Sequence, residues 1–544
     1  MFVPIDVETP QSPGWWLARL DKKRQANLPR LEKLDQYHRG DPPLPEGAAN
    51  AQAAYQAFQK KARLNLAELI VGSLRERQKV RAIRTAVSDD EHGDKLAWQV
   101  FRVNGLEVEF ADVLENMLAL GDAYMMVAVD PGAGSKPTVN DVVITGEDPR
   151  QVVTIHDPVR QSRVLAGAKF FHDPEAGRDY AFLQVRGSSE APNARVFVAY
   201  SENSSASKQV TFSESWQWDD DQGGADGIEL PVPDVGIVRF RNRRGIGEFE
   251  PHIDVLDRIN HMILQRMVIA TMQAFKQRAV RGDLDSHYPN DYPDESLRGK
   301  KINYDEIFES DPGALWLLPA GAEIWESGQA DIQGILSAVT DDLKHLAAVT
   351  RRPMSIFAPD NQSAAGADLT ADGLIFATED RNMRAGQALA QVIYLAFLFM
   401  GDEERAKLED VEVDWMPVAR HSLTGKGSAA QQARAGGMSN RGVLEHVWQL
   451  TPAQIDRELA DESADLMNAE AFSAGGQEMS QAEQDKAAAD AFKAKAEAIG
   501  MLIRAGADPD VAAELVGLKG LKFTGAIPVS LRPKESDAAR LEDA

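Results

Sequence analysis

The spacing of apolar residues divides the chain into successive segments of different character. In 15–40, 51–79 and 111–120, apolar positions recur at three- and four-residue steps, which is typical of amphipathic helices. From 122 to 241, short β-type runs alternate with Gly, Pro, Asp and Asn, as in "AYMMVAV", "QVVTIH", "YAFLQV" and "RVFVAY". This order predicts a mostly antiparallel sheet built onto helices, in an α+β fold that is mainly helical.

Helical spacing returns after Gly247 and continues to residue 281. The apolar residues that recur on one side of this segment are Ile253, Leu256, Ile259, Ile263 and Met267. Acidic residues lie mainly in its first half and basic residues in its second half, an order that complements the helix dipole. A helix of about 30 residues is roughly 45 Å long, so 247–281 is predicted to form a strut with one packing face.

A second strut is predicted at 329–350. The segment before it, 282–328, is irregular, contains several prolines, and includes two short strand candidates, "ALWLL" and "EIWE". Because proline disfavours the α conformation in the residue before it, the second strut is predicted to end at Arg351-Arg352-Pro353.

A polar stretch, "RRPMSIFAPDNQSAAGADLTADG", separates this strut from an apolar helix that is predicted to run from about residue 370 to Met400. "KLEDVEVDWMPV" then alternates as a strand does, Ala-rich helices are expected up to 535, and 536–544 has the charge of a loose tail. The most apolar run, "ALAQVIYLAFLFM", is shorter than the roughly 20 residues that a membrane span needs. No secretory signal is visible either, so we expect a buried helix and no membrane.

Composition narrows the function classes. The 84 acidic and 59 basic residues give a formal net charge of −25, which argues against a protein that binds nucleic-acid phosphates generally. The chain contains no cysteine, which excludes disulfides, thiol nucleophiles and thiolate metal sites.

No motif assembles a reaction centre. In "WDDDQGGADGIEL", Asp219 and Asp221 occupy the first and third positions of a calcium loop, but Leu230 stands where that loop needs Glu. "TGKGS" lacks both the first glycine and the final Ser or Thr of a phosphate loop. We therefore expect no catalytic residue, no cofactor and no metal site.

The order of these elements resembles the portal protein of tailed bacteriophages, in the group found in siphoviruses of Gram-positive hosts. "LEKLDQYHRGDPPLP" is similar to the N-terminal helix of that family, and "ALGDAYMMVAVD" to its helix-to-strand passage. The segment from Gly247 resembles its stem helix, the polar stretch from Arg351 its tunnel loop, and "ARAGGMSNRGVLEHVWQLTPAQIDRE" its crown helices. Each motif is weak, and the resemblance rests on their succession over about 15–535.

The resemblance implies a portal fold with four parts and a connecting loop. These are a wing (1–246 with a long helix and returning strand at 370–418), a stem (247–281 and 329–350), a clip (282–328), a tunnel loop (351–369) and a crown (419–535).

In that family, twelve copies form a ring at one capsid vertex of the virion, after assembly in the host cytoplasm. Double-stranded viral DNA is packaged and ejected through the channel. The resemblance implies that the clip docks the terminase large subunit and then the head–tail adaptor, and that the ring contacts the major capsid and scaffolding proteins. The terminase hydrolyses ATP, so no enzyme activity is implied for this chain.

The resemblance also assigns candidate residues. Those of the tunnel loop that would meet DNA are Met354, Asn361, Gln362, Ser363 and Asp368. Lys344, Arg351 and Arg352 would form weak phosphate-facing rings in the channel, or would only complement the end of a helix. The five apolar residues from Ile253 to Met267 would pack the stem.

Two other interpretations stay open at this point. The acid excess and the Asp clusters are compatible with an acidic, intracellular, metal-dependent hydrolase, which would lose activity in Asp219→Ala or Asp221→Ala. Another minor head protein is the second alternative, and the pair of struts around a proline-rich insert argues against it.

Overall fold

The computed structural model describes most of the chain up to residue 474. The described residues are 5–44, 53–87, 93–130, 132–134, 136–203, 210–213, 215–274, 278–282, 284–304, 323–326, 332–358, 364–419, 423–474 and 493. Within these ranges, only the backbone is described for 53–55, 272–274, 278–280, 326, 364–371 and 467–474.

Eleven α-helices of four residues or more are described in these ranges. They are α1 (Pro13–His38), α2 (Ala53–Lys61), α3 (Leu66–Arg75), α4 (Lys95–Val103), α5 (Leu106–Leu120), α6 (Ile253–Ala274), α7 (Gln333–Thr350), α8 (Met354–Phe357), α9 (Ala364–Met400), α10 (Leu423–Ala435) and α11 (Pro452–Ala474).

The strands in the described ranges all pair in antiparallel fashion. They are β1 (Val80–Arg84), β2 (Asp122–Val129), β3 (Val142–Glu147), β4 (Val152–His156), β5 (Val164–Asp173), β6 (Arg178–Val185), β7 (Arg195–Glu202), β8 (Gln217–Trp218), β9 (Ile228–Glu229), β10 (Ile237–Arg241), β11 (Arg278–Arg281), β12 (Glu323–Glu326) and β13 (Glu412–Trp415).

Four sheets result from this pairing. The largest has the order β4-β5-β6-β7-β8, with β9 also on β7, and a three-stranded sheet has the order β10-β2-β3. Two ribbons, β1-β13 and β11-β12, complete the set. The predicted strands between 122 and 241 are confirmed, and the fold is α+β with more residues in helices than in strands.

The two largest hydrophobic clusters hold the helices and sheets together. The larger one joins α3, α5 and α9 to the three-stranded sheet, through side chains such as Leu74, Met117, Phe240 and Phe397 that are fully buried. The smaller one packs α1 against the six-stranded sheet. We call α1–α5, β1–β10, α9 and β13 the body, and the first turns of α6 and Leu346 of α7 also reach the larger cluster.

Several predicted boundaries are wrong. The helix predicted over 51–79 is two helices, because Asn65 caps a new helix by accepting a hydrogen bond from the Glu68 N–H. Within the strut predicted over 247–281, the described residues form a 3₁₀ turn at Glu250–His252 and an α-helix over Ile253–Ala274, and the last residues form β11, which pairs with β12. The apolar helix begins at Ala364 rather than near 370.

The acidic segment around Asp219 is also not the simple hairpin turn that its composition favours. Both β8 and β9 pair with β7 instead of with each other. Between them, Asp219 caps a short 3₁₀ turn, and Gly223, Gly224 and Gly227 adopt positive φ angles. This geometry explains the glycines.

One segment within the described chain, Asp372–Met400, is long and apolar enough to cross a membrane by length and composition. Of its most apolar 18-residue stretch, 61% is buried inside the protein, as is typical of a core helix. Leu389, Val392 and Phe397 are completely buried there.

The chain divides into two compact units, 1–455 and 456–544. The first contains all the elements above except the later turns of α11. In the second unit, the described residues continue that helix to Ala474.

Candidate functional site: the helix pair and the ion-pair network at its base

Two helices, α6 and α7, leave the body side by side, and we call them the helix pair. The start of α6 and the end of α7 lie together, since His252 and Thr350 line the same pocket, so the two helices run antiparallel. Arg258 on α6 and Asp342 on α7 form a bidentate ion pair, with an Nε–Oδ2 distance of 2.9 Å and an Nη2–Oδ1 distance of 2.7 Å.

Burial falls along the helix pair. Near the base, Leu256 is 3% exposed, Ile259 is 0% exposed, and Leu346 on α7 is 0% exposed. Further along α6, Ile263 and Met267 are only partly buried. The second half of the pair therefore has apolar side chains that the chain itself covers incompletely.

A two-stranded ribbon continues the helix pair beyond α6. β11 and β12 pair with Ala279 opposite Trp325 and Val280 opposite Ile324. Trp325 is 56% exposed and Ile324 is 40% exposed. The strand predicted from "EIWE" is thus confirmed, whereas "ALWLL" lies outside the described residues.

At the base of the pair, Glu248 is buried between two arginines, and we call these three residues the ion-pair network. The Glu248 carboxylate accepts hydrogen bonds from Arg381 Nε at 2.9 Å, from Arg352 Nη2 at 3.3 Å and from the Asn242 side chain at 3.0 Å. Burial alone would raise the pKa of Glu248, but Arg381 and Arg352 outweigh burial, and the pKa is lowered. The carboxylate is therefore charged in the folded protein.

Arg352 connects α3 and Glu248 to the end of α7. Besides Glu248, it donates to Ser73 Oγ at 3.1 Å and to the Ile70 carbonyl at 3.0 Å, both on α3, and to the Thr350 carbonyl. Removing one member of such a buried network leaves uncompensated charge. The network therefore fixes where α7 ends relative to the body.

The chain turns sharply after α7. Arg351 has a φ of 57° and lies in the left-handed region, and its N–H bonds back to the last turn of the helix. Pro353 follows, and the prediction that the helix ends before this proline is confirmed.

A pocket of about 230 Å³ opens beside the ion-pair network. Its lining includes Arg243, Arg244 and Arg351, which are exposed and form no ion pair within 4 Å among the described residues. Arg244, like Arg351, has a left-handed backbone, with a φ of 60°. The run "RFRNRRG" at 239–245 was the available sequence signal for this cluster, and the sequence analysis missed it.

The structure places the predicted channel residues in different surroundings. Lys344 is exposed and forms an exposed ion pair with Asp341 at 3.1 Å. Arg351 is exposed at the pocket mouth. Arg352, however, is 6% exposed and bound to Glu248, so its guanidinium cannot line a channel in this conformation, and we no longer place it there.

The predicted tunnel loop is shorter than 351–369, because α8 and the start of α9 occupy part of it. Met354 begins α8 and is half-buried. Asn361, Gln362 and Ser363 lie outside the described residues, and Asp368 lies in α9, where only the backbone is described.

The predicted packing residues of α6 all belong to the helix, and Ile253 is 8% exposed. Leu264, 1% exposed, is a further buried residue of α6 that the three- and four-residue spacing did not include.

No group of three or more residues that could hold a metal ion occurs in the described part of the chain. Asp219 and Asp221 are engaged locally, since Asp219 Oδ1 accepts a hydrogen bond from the Asp221 N–H at 3.1 Å. Nothing in these residues favours the hydrolase interpretation.

A comparison with known protein families matches most of the chain. The family described as phage portal protein, SPP1 Gp6-like, matches residues 17–477. A solved structure, "Neck of empty GTA particle computed with C6 symmetry", contains a similar chain with 11% identity, covering 73% of this chain and 91% of that one. Its TM-score of 0.39 is too low to assign a fold. No curated protein matches the chain.

Proposed function

The chain belongs to the family of SPP1 Gp6-like phage portal proteins, and we propose that copies of it form a ring-shaped channel at one vertex of the phage capsid. Membership makes it a structural component of a phage head. The proposal concerns the ring itself, its passage of DNA, and its contacts with other proteins of packaging.

The incomplete burial along α6 is the observation that carries this proposal. Ile263 and Met267 continue the apolar side of a helix whose base is fully buried. Apolar side chains in a regular row are covered by a partner in stable assemblies. Neighbouring copies packed around a common axis would cover this row in every subunit at once.

The charge of the chain suits a channel for double-stranded DNA. Each copy contributes a formal charge of −25, so a duplex inside a ring of copies would meet mostly like charge. Strong phosphate contacts would hold the duplex in place, because each contact adds to a salt-dependent binding energy. Lys344 is exposed and would supply a weak phosphate contact in each copy.

The ribbon of β11 and β12 is the part of the clip that we propose for docking. Its exposed Trp325 and Ile324 have the composition of interface centres. The terminase large subunit would bind there during packaging and the head–tail adaptor afterwards. The major capsid and scaffolding proteins would contact the wing, and twelve copies would complete the ring.

Electron microscopy and mass measurement of the purified full chain test the proposal. We expect class averages of rings with a central channel. A chain that stays monomeric across concentrations, alone and when co-expressed with the capsid and scaffolding proteins, would overturn the proposal.

The tunnel loop has a separate test in an infection assay. Deleting 359–363 is expected to leave ring assembly intact and to reduce the amount of DNA packaged or retained. A matched deletion in the exposed loop 157–161 should leave packaging unchanged. If capsids that contain the 359–363 deletion package genomes of normal length, this loop has no role in packaging.

A further inference from the structure

The pocket beside the ion-pair network opens onto a surface with an unusual charge. Arg243, Arg244 and Arg351 lie together there without ion pairs among the described residues. Arg241 lies next to the cluster, with its guanidinium beside Gly245, but it is paired with Asp122 at 3.7 Å and is not counted among the unpaired arginines. In a chain with 84 acidic and 59 basic residues, unpaired arginines gathered on one concave surface favour an external anionic partner.

Exposed apolar side chains accompany these arginines. Val349 lines the same pocket and is 57% exposed. Helix α9 passes close to Arg351 at Gly373, where a β-carbon would lie 3.3 Å from the Arg351 carbonyl oxygen. Phe376, one turn later on α9, is 66% exposed. We call Arg243, Arg244, Arg351, Val349 and Phe376 the arginine face.

This composition favours a protein partner over a nucleic acid. Arginine together with aromatic and aliphatic side chains is enriched at protein interfaces. A phosphate backbone would use the guanidinium groups but would leave Val349 and Phe376 in contact with water. The partner should therefore offer both carboxylates and apolar side chains.

The chain has a surface of that kind at the turn between α4 and α5. Val103 is 54% exposed and Val108 is 68% exposed. Glu107 and Glu109, in the first turn of α5, are exposed beside them. We call these four residues the acidic turn. None of them lines the arginine pocket.

We propose that the arginine face binds the acidic turn of a second copy of this chain. Two different surfaces that bind each other join copies head to tail, and such a contact closes into a ring when its rotation allows. This inference rests on the proposed ring and adds the pair of surfaces that would meet in it. It also gives a chain of net charge −25 an attractive contact with its own copies.

Charge reversal tests this pairing in the full chain. Arg243→Glu with Arg244→Glu is expected to raise the concentration at half-assembly at least tenfold, because like charges would oppose each other in the contact. Glu107→Arg with Glu109→Arg should have the same effect. The four substitutions together restore opposite charges, and assembly should return to within about threefold of the natural chain.

A matched control uses exposed charges elsewhere in the body. Arg160→Glu with Arg163→Glu, and Glu175→Arg with Glu190→Arg, change the net charge by the same amounts and should leave assembly unchanged. Circular dichroism and thermal melting identify variants that fail to fold. If the reversal of the arginines unfolds the chain, Arg243→Ala with Arg244→Ala replaces it, and assembly of that variant should be weaker and more sensitive to salt.

The outcomes separate this inference from the proposed function. A natural chain that forms no rings overturns the proposed function. Rings that persist in both reversed variants overturn the pairing alone. A quadruple variant that stays unassembled, although both reversed pairs fold, shows that the arginine face and the acidic turn are not partners. Intact rings with weaker binding of a short DNA duplex in the arginine variant would assign the surface to nucleic acid instead.

Discussion

The body and the helix pair of this protein bury their apolar residues to different extents. In the body, α9 carries Leu389, Val392 and Phe397 with no exposed area. Among the described side chains of α6, complete burial extends no further than Leu264, and Met267 is only partly covered. The body thus has what it needs to fold as a single chain, whereas neighbouring copies would complete the outer half of the pair in the ring that we propose.

The largest difference in stability between the two regions is expected when one apolar side chain in each is shortened to alanine. Phe397→Ala should lower the free energy of unfolding by about 3–5 kcal/mol, because it removes a fully buried ring and leaves a cavity. Met267→Ala should cost less than about 1 kcal/mol in the unassembled chain. Urea denaturation followed by circular dichroism measures both, and equal losses would remove the distinction between the regions.

Charged pairs should show the same contrast with smaller effects. Glu248→Gln keeps the shape of the side chain but leaves Arg352 and Arg381 without their counter-charge, which should cost about 2–3 kcal/mol. The exposed pair on the helix pair serves as the control, and Asp342→Asn should cost less than about 1 kcal/mol. A larger loss for Asp342→Asn than for Glu248→Gln would contradict our account of the base.

Acid should weaken the body through His156 in β4. Burial, together with the nearby Arg239, lowers the pKa of His156 to about 4 from its ordinary value of 6.5. A histidine with a lowered pKa stabilises the fold fully above its ordinary pKa, and this contribution is lost as the pH falls from 6.5 towards 4. Allowing for partial exposure, we expect a loss on the order of 1 kcal/mol by pH 5.5.

The measurement is the melting temperature of the natural chain and of His156→Gln between pH 7.5 and 5. The other charged groups that face His156 are Lys23 and Arg241, which stay protonated throughout this range. The decrease in melting temperature should be smaller in the variant. Identical pH profiles would exclude this histidine as a source of acid sensitivity.

Met267→Asp is expected to change the stability of the single chain least. It should have a large effect on assembly. The side chain is partly exposed, so the unfolding free energy should change by about 0.5–1 kcal/mol. A buried, unpaired carboxylate at a contact between copies would oppose ring formation. Analytical ultracentrifugation should detect the shift towards monomer, and rings in normal yield would place this side of α6 outside the contacts between copies.

The sequence predicted elements whose signals are local. Short alternating runs marked the strands between 122 and 241, and Pro353 marked the end of α7. The ribbon of β1 and β13 was not predicted as a pair, since its strands are more than 300 residues apart and neither has a local partner. α4 was likewise missed, although Asp94 caps it through the N–H groups of Leu96 and Ala97.

The site was less predictable than the fold for a similar reason. Arg352 stands beside Arg351 in the sequence, and both have the same charge. The structure buries one and exposes the other, because Glu248 meets only Arg352. A partner 104 residues away in sequence leaves no local pattern, so the sequence could not distinguish the two side chains.

Arg352 also has a mechanical consequence. It clamps the last turn of α7 to α3 and to Glu248 at a single point, which makes that point a fulcrum. α7 has 18 residues, so at 1.5 Å per residue the arm beyond the fulcrum is about 27 Å long. A tilt of about 5° there would move the far end by about 2 Å. We expect a push on the ribbon at that end to reach the residues that follow Pro353 as a smaller displacement.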